Sequence, residues 1–325
     1  MGSTFLVRLQ PKSHFPLQLQ SDQIAGALLY AMGILYGQDL VSNQININNP
    51  PFQVSSAFPF FHSVDNNEVR CFPFPMIFPP KLSTKDYSLI KILKKAKFIE
   101  EGLFWNLITS KLSNEDLYQG VQENYRVLCS CLIPNETRIQ RSSLETTYRS
   151  HNQINRLNSK SIQFFQSISS TFQNAGLYFI LKVINSDWIN YLKTSLEFLQ
   201  DQGLGGNIST GQGWFNVSYD DYSTLPHFSS AEKHILLSLY SPKPIEIKNL
   251  DPSNSQYELI FRQSRSRNGK MRRSLHLFTP GSILSFHTPV ESPIGTIRIV
   301  GNPKLSPFPA FVWSQALSVP WRLQA

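Results

Sequence analysis

Alternation and helical spacing of apolar residues divide the chain into strands and helices. Phe5-Leu6-Val7-Arg8-Leu9 predicts a first strand, and residues 11–17 a loop. Ser21 or Asp22 then caps a helix whose Ile24, Ala27, Leu28, Ala31, Ile34 and Leu35 share one face, with Gly37 ending it. The prolines at 51, 59, 73 and 75 predict edge or extended pieces rather than a central strand, because proline donates no ladder hydrogen bond. Residues 176–183 read as a buried strand. Ser186-Asp187 caps a second helix carrying Trp188, Tyr191, Leu192, Ser195, Leu196 and Leu199 on one face, and 214–219 alternates as another strand. A further unit opens at 235–242. In it, 257–262 and 271–278 read as paired strands joined by a tip containing Asn268-Gly269. Residues 80–150 are too long for a connection and predict an insertion, with a helix over 101–112.

Between the second helix and its following strand lies Gly203-Leu204-Gly205-Gly206-Asn207-Ile208-Ser209-Thr210-Gly211-Gln212-Gly213. Five of these eleven residues are glycine, against 16 in all 325. Glycine tolerates positive φ and lets backbone approach a ligand closely, so this loop is a candidate phosphate nest, with Asn207, Ser209 and Thr210 adding short donors. No lysine follows the glycines as in a Walker loop, and the order helix, loop, strand is the reverse of a dinucleotide fingerprint. A plain helix–strand linker is the other reading.

Net charge is +8, from 30 Lys and Arg against 22 Asp and Glu, which suits a polyanionic partner without specifying one. The three cysteines, Cys71, Cys129 and Cys131, lack the spacing of a zinc site or a disulfide framework and fit free thiols in a reducing cytoplasm. No apolar run approaches the ~18 residues of a membrane helix. No metal or cofactor is expected.

A glycine loop after the last helix of a ferredoxin-like unit resembles the RAMP superfamily of CRISPR RNA-binding proteins. The Leu9-Gln10-Pro11 start, Leu19-Gln20-Ser21-Asp22 opening the first helix, Leu35-Tyr36-Gly37 closing it and Ser55-Ser56-Ala57-Phe58-Pro59-Phe60 resemble subunit four of the type III-A CRISPR effector. Lys94-Lys95-Ala96-Lys97-Phe98-Ile99 and Arg149 to Arg156 match basic segments of that family, with Asn155 where Asp is commoner. The hairpin over 257–278, the Pro280-Gly281-Ser282 turn and the strand around Phe311-Val312-Trp313 extend the resemblance.

The resemblance implies an α+β protein of two ferredoxin-like (RRM-like) halves, 1–222 and 223–325, with the insertion and the glycine loop in the first. It implies a non-catalytic, cytoplasmic subunit that holds the 5′ repeat-derived handle of crRNA. Its partners would be the large polymerase/nuclease subunit and the backbone RAMP subunit, with target RNA met indirectly. Candidate RNA contacts are Gly203, Gly205, Gly206, Asn207, Ser209, Thr210, Gly211 and Gly213 in the loop, and Ser21, Ser55, Ser56 and Phe58 in the family segments. Lys94, Lys95, Arg138, Arg141, Arg149, Arg156, Arg272 and Arg273 are the candidate cations. Phe58 or Tyr148 would stack on unpaired bases. Two other readings stand beside this one. A metal-independent crRNA-processing endoribonuclease would use His14 or His151 in general acid–base cleavage. A generic phosphate-ligand protein would bind mononucleotides.

Overall fold

The strand read at 176–183 lies at the centre of the main sheet. The structure, a computed structural model, describes residues 3–16, 18–45, 49–79, 87–121, 123–141, 143–205, 208–223, 225, 230–263, 271, 273–290, 295–300 and 311–321. Gly206, Asn207, Arg272 and the Asn268-Gly269 tip lie outside them.

β1 (Ser3–Pro11) leads into α1 (Ser21–Leu35), the short α2 (Gln38–Gln44), β2 (Phe52–Val54), β3 (Phe58–His62) and β4 (Glu68–Pro73). A middle stretch runs α3 (Tyr87–Leu93), β5 (Phe98–Glu100), α4 (Glu101–Ile108), α5 (Asn114–Gln119), β6 (Tyr125–Leu128) and β7 (Cys131–Pro134). Next come β8 (Ser143–Ile154), β9 (Ser161–Gln173), β10 (Ala175–Val183), α6 (Trp188–Gln202) and β11 (Phe215–Asp221). The rest is β12 (Ala231–Leu236), α7 (Pro244–Asn249), β13 (Leu250–Gln256), β14 (Leu259–Arg262), β15 (Leu275–Phe278), β16 (Ile283–Val290), β17 (Gly295–Ile299), β18 (Phe311–Gln315) and β19 (Ser318–Pro320).

The main sheet has the order β11-β1-β10-β3-β4-β5-β7-β6, with β2 also on β10. Its first four strands are antiparallel neighbours whose chain order is fourth, first, third, second, with α1 and α6 as the two crossovers. This is the βαββαβ arrangement of a ferredoxin-like unit. β10 is buried almost throughout because both of its faces are covered. Leu177, Phe179, Leu181 and Val183 pack with the helix residues Leu28, Met32, Leu192 and Leu196, while Tyr178 and Ile180 join a second core on the opposite face.

The second sheet, β13-β16-β12-β19, repeats that strand order and is antiparallel throughout. Its crossovers are reduced. α7 has six residues, and the β17–β18 hairpin stands where a second helix would, with no helix between β16 and β19 among the described residues. That hairpin packs on the other half, where Trp313 stacks on Phe52 at 4.5 Å and 12°. Ile235, Leu237, Ile283, Leu317 and Val319 share the second core with Phe58, Phe72 and Tyr178, so the two sheets close on common apolar residues.

Two expectations are corrected, the edge placing of the Pro59 segment and the length of the helix read over 101–112, and two features appear that the sequence did not announce. β3 is a central strand despite Pro59. The proline lies opposite Leu177 of β10, whereas pairing with β4 begins only at Phe60, so its missing donor interrupts no ladder. The middle residues extend the main sheet, with β5 antiparallel to β4 and parallel to β7, and α4 ends at Ile108 rather than Leu112. Residues 143–173 form a long two-stranded ribbon that period-2 patterning did not reveal. At its base, Phe15 bridges to Ser170.

Candidate nucleic-acid interface

A cavity of about 630 Å³ opens between the two halves. Segments remote in sequence line it: Gln18 to Gln20 before α1, Ser56 to Phe58, Lys94 to Phe98 except Lys95, and Glu258 to Ile260 at the foot of the C-terminal hairpin. The walls are largely apolar, with Leu19, Ala57, Leu93 and Ile260 among them, and the amide groups of Gln18 and Gln20 and the Glu258 carboxylate supply polar points. Lys94, Lys95 and Lys97 are all exposed where α3 turns into β5, and Lys94 and Lys97 belong to the lining itself. An apolar slot rimmed by cations suits a flat base attached to a phosphate.

The serines of the family segments do something else. Ser21, Ser55 and Ser56 are buried, and their hydroxyls are taken up by protein. The Ser56 hydroxyl accepts from the Ser21 N–H at 3.1 Å and donates to Gln20 Oε1 at 2.8 Å. Ser21 Oγ accepts from the Leu239 N–H at 3.0 Å, and the Ser56 N–H donates to the Leu237 carbonyl at 2.9 Å, both across the halves. Ser55 Oγ donates to the Ser56 carbonyl at 2.7 Å and accepts from the Ile180 N–H at 2.8 Å. Ser21 and Ser56 therefore fasten the second half to the first, Ser55 braces β10, and all three hydroxyls are engaged within the protein. Phe58 is 1% exposed, packed against Phe72, Tyr178 and Phe98, so its ring is a core residue and not a stacking surface. Small hydroxyls in an otherwise apolar run are consistent with a buried polar seam, but their burial could not be read from the motif alone.

The glycine loop is likewise partly structural. Gly203 caps α6 with φ +85° and donates to the Leu199 carbonyl; Leu204 donates to Gly213, and Gly211 to Ile208. Gly213 donates to the His14 carbonyl at 2.8 Å, while Ser13 Oγ accepts from the Trp214 N–H at 3.0 Å, so the loop is pinned to the turn after β1. Gly203 and Gly213 are buried. The amides of Gly203, Gly211 and Gly213 are thus engaged, and a nest made of all the glycines is excluded. The exposed rim consists of Gly205, whose φ is +118° and which lies over Pro16, together with Ile208, Thr210, Gly211 and Trp214.

The remaining cations are spread over the surface. Arg138 and Arg141 are exposed after β7, Arg149 lies on β8, and Arg156 is exposed at the ribbon tip beside Leu157. Tyr148, 63% exposed, shares a face with Phe164 and Ile168. Arg273 is exposed before β15. Arg262 instead turns inward and pairs with Asp22 at 3.1 Å, tying the hairpin to the start of α1. Burial pushes the Asp22 carboxyl above its ordinary value while Arg262 pulls it down. His14 lies in the turn beside the glycine loop and His151 on β8. No group of three potential metal ligands occurs among the described residues, nor any described helix long and apolar enough to cross a membrane.

The fold is thus two sheets of ferredoxin-like strand order on a shared core, with a glycine-rich turn after α6. No protein-family model matches the chain. A curated relative, the CRISPR system Cms protein Csm4 of Thermococcus onnurineus (strain NA1), is 23% identical over 229 residues, spanning 68% of this chain and 70% of the relative. The fold is similar to a chain of the Csm3-Csm4 subcomplex in the type III-A CRISPR-Cas interference complex, with a TM-score of 0.69 and 19% identity, covering 98% of this chain and 100% of that one. It is also similar to a chain of the Csm1-Csm4 cassette in complex with pppApA, with a TM-score of 0.60 and 17% identity over 99% of both chains. The likeness is thus to Csm4, in sequence over two thirds of the chain and, for a chain of the Csm3-Csm4 subcomplex, in fold over nearly all of it.

Proposed function

We propose that this chain is the crRNA-binding subunit of a type III-A CRISPR ribonucleoprotein that holds the 5′ repeat-derived handle and joins the large subunit to the backbone. The observation that carries the reading is the convergence on one cleft of Gln18 to Gln20, Ala57 and the Lys94–Lys97 turn, far apart in sequence and all family segments. A handle nucleotide placed there would rest its base on the apolar walls and its phosphate near Lys94 and Lys97. Gly205 and Thr210 offer a second, exposed rim, and Arg149 and Arg156 would neutralise RNA along the ribbon. We place the division between halves at 222/223, and the complex in the cytoplasm.

Holding is favoured over cutting because, among the described residues, no histidine lines the cavity, histidine being the usual group for proton transfer at a 2′-hydroxyl near neutral pH. Association with the large and backbone subunits is supported by the solved Csm1-Csm4 and Csm3-Csm4 assemblies of the same fold. The test is to assemble the complex with this chain, recover its RNA and read the 5′ ends, for the wild type and for Lys94→Gln/Lys97→Gln.

A further inference from the structure

The C-terminal hairpin carries an aromatic stripe that its charge does not announce. β14 pairs with β15 so that Leu259 faces Phe278 and Phe261 faces His276. Ile260 and Arg262 are partly covered, whereas Leu259 and Phe261 are 47% and 56% exposed. Tyr257, 43% exposed, continues the stripe and meets Phe278 edge-on at 5.0 Å. The His276 ring meets Phe261 at 5.5 Å and 63°, bracing it from the partner strand.

The stripe is firmly seated. Arg262 is anchored to Asp22, and the Thr279 N–H donates to the Glu258 carbonyl at 3.0 Å. It also begins at the cleft, since Leu259 and Ile260 form part of the cleft wall. The charge of the segment decides what would cover it. From 259 to 278 the sequence holds six cations, Arg262, Arg265, Arg267, Lys270, Arg272 and Arg273, and no carboxylate. An exposed aromatic ring set in a cation-only segment is complementary to a polyanion whose monomers have flat faces, that is, to single-stranded nucleic acid. Arg262 is paired with Asp22 and Arg265, Arg267, Lys270 and Arg272 lie outside the described residues, but the sequence of the segment as a whole favours a polyanion over an apolar protein surface.

We propose that Phe261, braced by His276, is a stacking platform for a base of single-stranded RNA leaving the cleft, with the exposed Arg273 of the same hairpin neutralising an adjoining phosphate. This rests on the RNA-holding reading above and names a contact for it.

The experiment compares labelled oligoadenylate and oligouridylate of equal length, titrated against the assembled complex carrying wild-type chain, Phe261→Ala, Phe261→Trp, Phe261→Leu or Arg273→Gln. Loss of one stacked base should weaken oligoadenylate binding by about 5- to 150-fold in Phe261→Ala, and oligouridylate by less. The slope of log affinity against log salt should stay unchanged in that variant and flatten by roughly 0.7 in Arg273→Gln. Phe261→Trp should bind as wild type and Phe261→Leu should not. The proposal is overturned if Phe261→Ala binds both RNAs as wild type does, or if leucine restores binding as well as tryptophan. It is also overturned if Phe261→Ala loses a protein subunit with RNA affinity unchanged. A wild-type complex that binds neither oligonucleotide would remove the RNA-holding reading itself.

Discussion

A methyl group on Gly213 would sit 2.2 Å from the Leu204 carbonyl oxygen, on a backbone already at φ +84°. That contact is with main chain and cannot be relieved by a rotamer change. Gly213→Ala should therefore destabilise the fold by roughly 2–3 kcal/mol, seen as a lower denaturant midpoint with unchanged slope. Gly211, also at positive φ but with open space around it, would show the strain without the clash. The glycine cluster was legible as a place of special backbone. Which glycines close the loop and which rim it was not, because that depends on the His14 carbonyl, some two hundred residues away in sequence. Ser21, Ser55 and Ser56 make the same point. A motif marks residues that matter, and only their partners distinguish a seam from a binding surface.

At the scale of elements, β1, α1, β10, α6 and β11 were legible from their period, although α1 is capped by Gln20 rather than Ser21 or Asp22, its Ile34 and Leu35 are exposed, and Asp187 makes no side-chain capping bond to α6. The β8–β9 ribbon was not. Its exposed face alternates irregularly, with Tyr148, Phe164 and Ile168 among Ser, Asn and Gln, and packing against the main body is confined to its base around Leu144 and Phe172. Stability should accordingly be indifferent to the outer ribbon. Joining Tyr148 to Ile168 through an Asn-Gly turn should leave the thermal midpoint within about 2 °C of wild type; a drop of ten degrees would mean that the outer ribbon supports the fold. The second half was read only in outline because its crossovers are not helical repeats. A six-residue helix and a β-hairpin replace them, and neither gives a 3.6-residue signature.

The whole molecule is two sheets of one topology sharing a core, which makes its stability sensitive to charge changes inside the smaller sheet. His234 is fully buried on β12, with Nε2 beside the Val290 carbonyl at 2.9 Å, and burial holds its imidazole below the ordinary value of 6.5. The unfolded chain therefore takes up this proton at higher pH than the folded chain does. Stability from the group is complete above about pH 6.5 and falls as pH drops toward the folded value. Thermal melts from pH 7.5 to 5 should show a steeper loss in wild type than in His234→Gln; equal slopes would show that the histidine is not held neutral.

Convergence of remote segments on one cleft is the whole-molecule property on which the functional reading stands, and the fold that holds the cleft is similar to that of a chain in the Csm3-Csm4 subcomplex. The most direct measurement is the 5′ ends of RNA recovered, after a high-salt wash, from complexes assembled with this chain. The account predicts ends that begin with repeat sequence in wild type, and a smaller retained fraction with Lys94→Gln/Lys97→Gln. RNA ends scattered without repeat sequence, or retention unaffected by loss of both lysines, would contradict it.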